Sequence, residues 1–126
     1  MSNLILVRHG QSLWNKERRF TGWADIDLTK KGQEEALLAG KLIKKLNINF
    51  DKYFTSKLKR ATNSLSIILK VLGDKEAKII QTNKLNERHY GGLTSLNKDE
   101  TIKKFGSKQV NIWRRSFNTP PPKINS

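Results

Sequence analysis

Apolar and polar positions along this chain change period several times, and each change marks a predicted element. The first run, Leu4, Ile5, Leu6 and Val7, is short, continuous and rich in branched side chains, so it predicts a buried strand, in a parallel sheet. His9 to Leu28 shows no clear period; Gly10, Trp14, Phe20, Gly22 and Trp23 punctuate it, and the stretch reads as a long functional loop. Thr29 then offers a helix cap, and Ala36, Ala39, Ile43 and Leu46 recur at helical spacing, which predicts a helix from about residue 30 to 46. "DKYFTS" predicts a second strand ending at Thr55 and Ser56. Leu58, Ala61, Leu65, Ile68 and Leu72 then mark one face of a second helix, closed near Gly73. "AKIIQT" predicts a third strand. Lys98 to Phe105 and Gln109 to Ser116 read as helices broken at Gly106, "TPPPK" excludes helix or inner strand, and the chain closes in polar coil. Strands alternating with helices imply right-handed crossovers, a parallel sheet and the α/β class.

Length adds one constraint. The 126 residues, 36% of them hydrophobic, suffice for one domain with a real core and are too few for two ordinary ones. With no cysteine, disulfides, thiolate catalysis and zinc-thiolate sites are excluded, which suits a reducing compartment. No apolar run approaches the roughly 18 residues of a membrane span, and no basic segment leads into an apolar one at the N-terminus; the expected location is the cytoplasm, away from membranes. The net charge of +14 invites a nucleic-acid partner. Most of the excess is lysine scattered in pairs such as Lys30 and Lys31, Lys44 and Lys45, and Lys103 and Lys104, which describes a solvated surface better than a nucleic-acid face. The arginines differ. Arg8, Arg60, Arg114 and Arg115 fall beside the motifs that could carry chemistry, and together would make an anion trap.

The strongest such motif is Arg8-His9-Gly10, at the carboxyl end of the first predicted strand, where open α/β sheets bind ligands. A neutral imidazole, with a reference pKa of roughly 6.5, is a competent nucleophile toward phosphorus near neutral pH. The Arg8 guanidinium beside it would hold phosphoryl oxygens in fork geometry, and Gly10 would let main-chain N–H groups approach the same anion. By themselves, Glu87 reads as a surface carboxylate, Arg114 and Arg115 as a solvated helix face, and Tyr90 and Trp113 as packing residues.

Taken with "FTGWADIDLTKKGQEEA", "TSKLKRA", "LNERHYGGLTSLNK" and "WRRSFNTPPP", the opening "RHGQSLWN" gives a chain that resembles the cofactor-dependent phosphoglycerate mutases of the histidine phosphatase superfamily, from about Leu4 to Pro122. The resemblance implies an α/β three-layer sandwich, with a mostly parallel sheet flanked by helices and the C-terminal part missing, so that residues 1–126 form one partial domain. It implies that His9 is phosphorylated on its far ring nitrogen, that Arg8 and Arg60 grip the phosphoryl group, and that Glu87 is the general acid and base. The binding positions it implies run from Gly10, Gln11, Ser12, Leu13, Trp14 and Asn15 through Thr21 and Gly22. Further on they include Arg88, Tyr90, Lys98, Arg114 and Arg115, together with His89, for which orienting its neighbours is an equal alternative.

The activity so implied interconverts 3-phosphoglycerate and 2-phosphoglycerate in glycolysis and gluconeogenesis, with 2,3-bisphosphoglycerate as phosphoryl primer and no metal. Small phosphoglycerates are the implied partners, with a homo-oligomer allowed because the family commonly forms dimers or tetramers. Family members are nearly twice as long and carry another histidine in an A-H-G-N-S segment beside the first strand, whereas this sequence has only His9 and His89. That predicts an N-terminal half with an unpaired "LILV" edge and impaired catalysis. A broad phosphatase using the same histidine is the alternative enzyme. Gln11 in place of the usual Glu, with Gly92 and Ser95, are smaller departures.

Overall fold

The computed structural model describes residues 3–116 and 119–123. Phe117 and Asn118 of the "WRRSFNTPPP" segment lie outside the described residues, as do Met1, Ser2 and the last three positions of the predicted polar coil.

The elements run α1 (Leu13–Lys16), α2 (Lys30–Lys44), β1 (Tyr53–Thr55), α3 (Lys59–Leu72), β2 (Ile79–Gln81), α4 (Lys98–Phe105) and α5 (Ser107–Arg115), with short 3-10 turns at Asn83–Leu85 and Gly91–Leu93. The Thr29 hydroxyl accepts from the Gly32 N–H to start α2, and Lys41 and Lys44 complement the dipole in its last turn. Helix α3 ends at Gly73 in the left-handed conformation, as expected from the sequence. Strands β1 and β2 are parallel, with Tyr53 opposite Ile79, Phe54 opposite Ile80 and Thr55 opposite Gln81, so α3 is the crossover of a βαβ unit. Helix α4 starts from Asn97, whose carboxamide accepts from Asp99 N–H and Glu100 N–H, and α5 begins two residues before its predicted start.

The opening strand is a correction. Among the described residues, Leu4 to Val7 form no strand, and Leu4, Leu6 and Val7 are exposed. A strand exists through main-chain pairing, and no described residue pairs with this segment, so its apolar pattern finds no ladder to join. The sheet of the described residues therefore has two strands where three were predicted. The long loop is corrected in part: Ser12 opens α1 with a capping box, its hydroxyl accepting from Asn15 N–H while the Asn15 carboxamide accepts from Ser12 N–H.

Two contacts hold the body together. Helices α2 and α3 pack together where Gly40 of α2 meets Ile68 and Val71 of α3; the buried residues of each helix, Gly32, Ala36 and Gly40 on one and Arg60, Ser64 and Ile68 on the other, are spaced four residues apart. Phe20, Leu93 and Val110 form a separate small core with Tyr90, Ile102 and Trp113 against it, joining the first loop to α4 and α5. Burial of each of its three central side chains stabilises by about 1.5–3 kcal/mol.

The segment carrying His9 is fixed by close approach. A methyl group at Gly10 would overlap the Gly32 carbonyl, and one at Gly32 would overlap main-chain atoms of Gln11. Backbone atoms cannot swing aside as a side chain can. Gly10→Ala is therefore expected to lower stability by about 2–3 kcal/mol, read as a lower urea midpoint with an unchanged slope. An unchanged midpoint would show that the two backbones do not touch.

Candidate active site

The His9 ring Nδ1 lies 2.6 Å from the Gly10 carbonyl oxygen. A carbonyl can only accept, so Nδ1 carries the proton and the far nitrogen, Nε2, keeps its lone pair. Burial pushes the His9 pKa below its ordinary 6.5; the Gly10 carbonyl opposes this, Arg60 and Arg8 lower it further, and Glu87 opposes them. The neutral form is the one with a free pair to attack phosphorus. The Gly10 N–H donates to the Ser64 hydroxyl (3.2 Å), which donates to the Arg60 carbonyl (2.7 Å), so the His9 segment is tied to the first turns of α3.

Arg60 is the largest fully buried side chain among the described residues, 2% exposed. Its two terminal nitrogens donate to the Ala24 and Gly22 carbonyls at 2.7 and 2.6 Å, leaving its remaining N–H groups for an anion. Gly22 presents its carbonyl from a left-handed turn with φ of 53°, beside the main chain of Arg88 and Tyr90. Burial lowers the Arg60 pKa, and the nearby Glu87 and Asp25 carboxylates oppose that.

The rest of the cluster comes from the turn after β2 and from α4 and α5. The Tyr90 hydroxyl has its pKa raised by burial and by Glu87, against the pull of Arg114, which hydrogen-bonds it, and Arg88. Burial, with Arg114, Arg18 and Arg8, lowers the pKa of Lys98, whose ammonium lies 5.9 Å from the Phe20 ring centre. Arg114 Nε is buried and has no hydrogen-bond partner among the described residues. A buried unpaired guanidinium N–H crowded by other cations fits a polyanionic ligand. The fold therefore brings Arg8, His9, Arg60, Glu87, Tyr90, Lys98 and Arg114 into one electrostatic neighbourhood, although they lie far apart in sequence.

Other expected positions also make structural contacts. Gln11 joins α2: its N–H donates to Glu35, and its main-chain and side-chain oxygens accept from Thr29. Ser12, Leu13, Trp14 and Asn15 build α1, with Ser12 and Asn15 using their side chains in its cap. The buried Thr21 hydroxyl lies 3.5 Å from the Arg19 carbonyl. Arg88 donates to the Trp113 and Ser116 carbonyls at the end of α5 (3.2 and 2.7 Å), pinning the turn after β2 to that helix. His89 Nδ1 accepts from Gly91 N–H, and its ring meets Trp23 edge-on at 5.4 Å, which favours the orienting role. Arg115 is exposed at the last turn of α5.

Two positioning residues escaped the sequence reading. Ser64 lies four residues after Arg60 on one helix face, a spacing visible in the sequence had its apolar neighbours not drawn attention. Trp23 donates its indole N–H to the Glu87 carbonyl (2.6 Å), a contact no local pattern announces.

Concavities of about 430 and 640 Å3 lie elsewhere, one between α3 and β2 and one beside the Gly91–Leu93 turn, and neither is lined by His9, Arg60 or Glu87. Among the described residues no group of three or more His, Asp or Glu side chains could hold a metal ion, and no helix is long and apolar enough to cross a membrane.

The chain is 58% identical to the 2,3-bisphosphoglycerate-dependent phosphoglycerate mutase of Hamiltonella defensa over 99% of its own length and 50% of the relative's. It is 52% identical to the protein of that name from Blochmanniella pennsylvanica over 98% of its own length and 53% of the relative's. The chain thus spans about half the length of the curated relatives it matches. Among solved structures, phosphoglycerate mutase from Bacillus anthracis superposes with a TM-score of 0.73 at 27% identity, covering 86% of this chain and 49% of that one. A mycobacterial glucosyl-3-phosphoglycerate phosphatase superposes with a TM-score of 0.76 at 23% identity over 90% and 51%. The fold is phosphoglycerate mutase-like, a small parallel sheet flanked by helices, covering half of these neighbours. With residues 4–126 matching the family model as well, the chain belongs to the histidine phosphatase superfamily, branch 1.

Proposed function

We propose that this chain carries the phosphoryl-accepting site of a 2,3-bisphosphoglycerate-dependent phosphoglycerate mutase, as one domain acting on small phosphoglycerates in the cytoplasm. The carrying observation is the His9 ring, held by its Nδ1 proton on the Gly10 carbonyl with Nε2 free, in the combined field of Arg60, Arg8 and Glu87.

Priming moves a phosphoryl group from 2,3-bisphosphoglycerate to Nε2 of His9; an N–P bond forms as an O–P bond breaks, and the departing oxygen takes a proton from the Glu87 carboxyl. In the forward exchange, Glu87 takes the 2-hydroxyl proton of 3-phosphoglycerate while that oxygen attacks phospho-His9, breaking N–P and giving the bisphosphate. The bisphosphate turns, returns its 3-phosphate to Nε2, recovers the proton from Glu87 and leaves as 2-phosphoglycerate. Arg8, Arg60, Arg114 and Lys98 meet the charge that moves between these oxygens, and bidentate arginine suits both phosphate and carboxylate. Gly10, Thr21, Gly22 and Tyr90 shape the floor. Arg88, His89, Gln11, Ser12, Leu13, Trp14 and Asn15 position it, and Arg115 extends the cationic rim.

The test is incubation with 2,3-bisphosphoglycerate, followed by mass measurement of the His9 peptide and then by addition of 3-phosphoglycerate or a generic phosphomonoester. The proposal expects a phospho-His9 that 3-phosphoglycerate discharges faster than water does. Discharge by water alone would instead identify a phosphatase.

The lowered His9 pKa fixes the sign of the pH response. Because the native site disfavours the imidazolium, uptake should stay level as pH falls through 6.5 and decline only below it. The unfolded chain takes up that proton first, so His9 favours the fold above 6.5, and this contribution is lost as pH falls toward the native value. Initial uptake rates between pH 5 and 8 check this; a midpoint above 6.5 would contradict the burial that causes the shift.

A further inference from the structure

Residues 21 to 24 close a turn, with the Ala24 N–H donating to the Thr21 carbonyl (3.0 Å), and this turn is gripped from the side of α3. The Arg60 guanidinium donates to the Gly22 and Ala24 carbonyls, and the Asp25 carboxylate accepts from the Lys59 N–H at the start of that helix (2.6 Å). Trp23, between those carbonyls, reaches a different segment: its indole N–H donates to the Glu87 carbonyl (2.6 Å), and its ring meets His89 edge-on. Gly22 closes the same junction, since a methyl group there would lie 3.1 Å from the Arg88 carbonyl oxygen and the Tyr90 nitrogen. The Glu87 carboxyl is tied to this segment too, because its Oε1 accepts from the Arg88 N–H (3.3 Å). Trp23 is 47% exposed, so its ring adds little to a core, and a hydrogen bond this open to water adds little net stability. What the contact fixes is position.

We propose that Trp23 is a positioning residue for the general-acid step, and that the turn at residues 22–24 thereby holds the Glu87 carboxyl in register with the phosphoryl grip of Arg60. This rests on the proposed transfer to His9. In that step Nε2 of His9 forms the N–P bond, the O–P bond of the donor breaks, and the departing alkoxide oxygen takes the Glu87 proton. An alkoxide is a poor leaving group and needs that proton as the bond breaks. The 4-nitrophenolate of an aryl phosphate carries its charge unaided and does not. Displacing the Glu87 segment therefore slows transfer from an alkyl phosphate and spares transfer from the aryl one, a pattern that lost packing or lost phosphate binding would not produce.

The experiment follows phosphorylation of the His9 peptide by mass, with 2,3-bisphosphoglycerate and 4-nitrophenyl phosphate as donors, in the parent chain, Trp23→Phe, Glu87→Gln and the double variant. Phenylalanine keeps a ring beside His89 and removes the N–H. Trp23→Phe is expected to slow uptake from the bisphosphate by about tenfold to a hundredfold and from the aryl phosphate by no more than about threefold, with the circular dichroism unchanged. In the Glu87→Gln background the same substitution should change uptake from the bisphosphate by less than about twofold, because no acid is left to misplace. Equal slowing with both donors, unaltered uptake from the bisphosphate, or a full effect persisting in Glu87→Gln overturns this inference and leaves the proposed function standing. Collapse of the circular dichroism in Trp23→Phe also overturns it, since the ring would then be holding the fold. A parent chain that takes a phosphoryl group from neither donor refutes the proposed function and this inference together.

Discussion

His9→Ala is expected to abolish phosphoryl uptake from 2,3-bisphosphoglycerate, with a loss of at least about a thousandfold, because the variant has no atom to form the N–P bond. The neighbouring cations would still attract the bisphosphate, so binding should weaken far less than uptake. This split separates a nucleophile from a residue that only shapes the site. His9→Asn makes the contrast sharper, since a carboxamide can keep a polar contact with the Gly10 carbonyl without supplying a nucleophilic nitrogen. Mass measurement of the His9 peptide and calorimetric titration with the bisphosphate are the two readouts. Uptake within about tenfold of the parent in either variant would move the phosphoryl acceptor elsewhere.

Arg60→Met is expected to cost about 2–4 kcal/mol of stability along with most of the uptake. The guanidinium satisfies two loop carbonyls, Gly22 and Ala24, and methionine fills the volume while leaving the buried Gly22 oxygen and the part-buried Ala24 oxygen without their donor. Arg60→Lys keeps the charge, but one ammonium cannot reproduce two diverging donors, so it should recover part of the stability and little of the uptake. Urea denaturation followed by tryptophan fluorescence checks the first claim, with Trp23, between the two carbonyls, among the reporters. A midpoint unchanged in Arg60→Met would mean that the two carbonyl bonds are not part of what holds the loop.

Much of the fold was legible in the sequence because its signals are local. Thr29 and Gly73 bracket helices by their own side-chain and backbone chemistry, and "DKYFTS" and "AKIIQT" are strand-like whatever surrounds them. The same logic misplaced "LILV", since branched apolar residues state a preference for pairing without supplying the partner. The site divides the same way. The Arg8-His9-Gly10 tripeptide is visible as chemistry, whereas only the fold shows that one terminal nitrogen of Arg88 donates to the carbonyls at the end of α5.

By itself, the sequence determined the four longer helices, the two short strands as separate elements, the absence of thiol chemistry and the histidine that could hold a phosphoryl group, because each follows from composition or from residues adjacent or one helical turn apart. Only the tertiary structure decided that Arg60 is buried between two loop carbonyls, that Glu87 lies in the field of His9, and that Tyr90 and Lys98 share Glu87 and Arg114 as charged neighbours. Those facts depend on distances between segments far apart in the chain, which are set by how α2, α3 and the Phe20 core pack and not by any single stretch of residues.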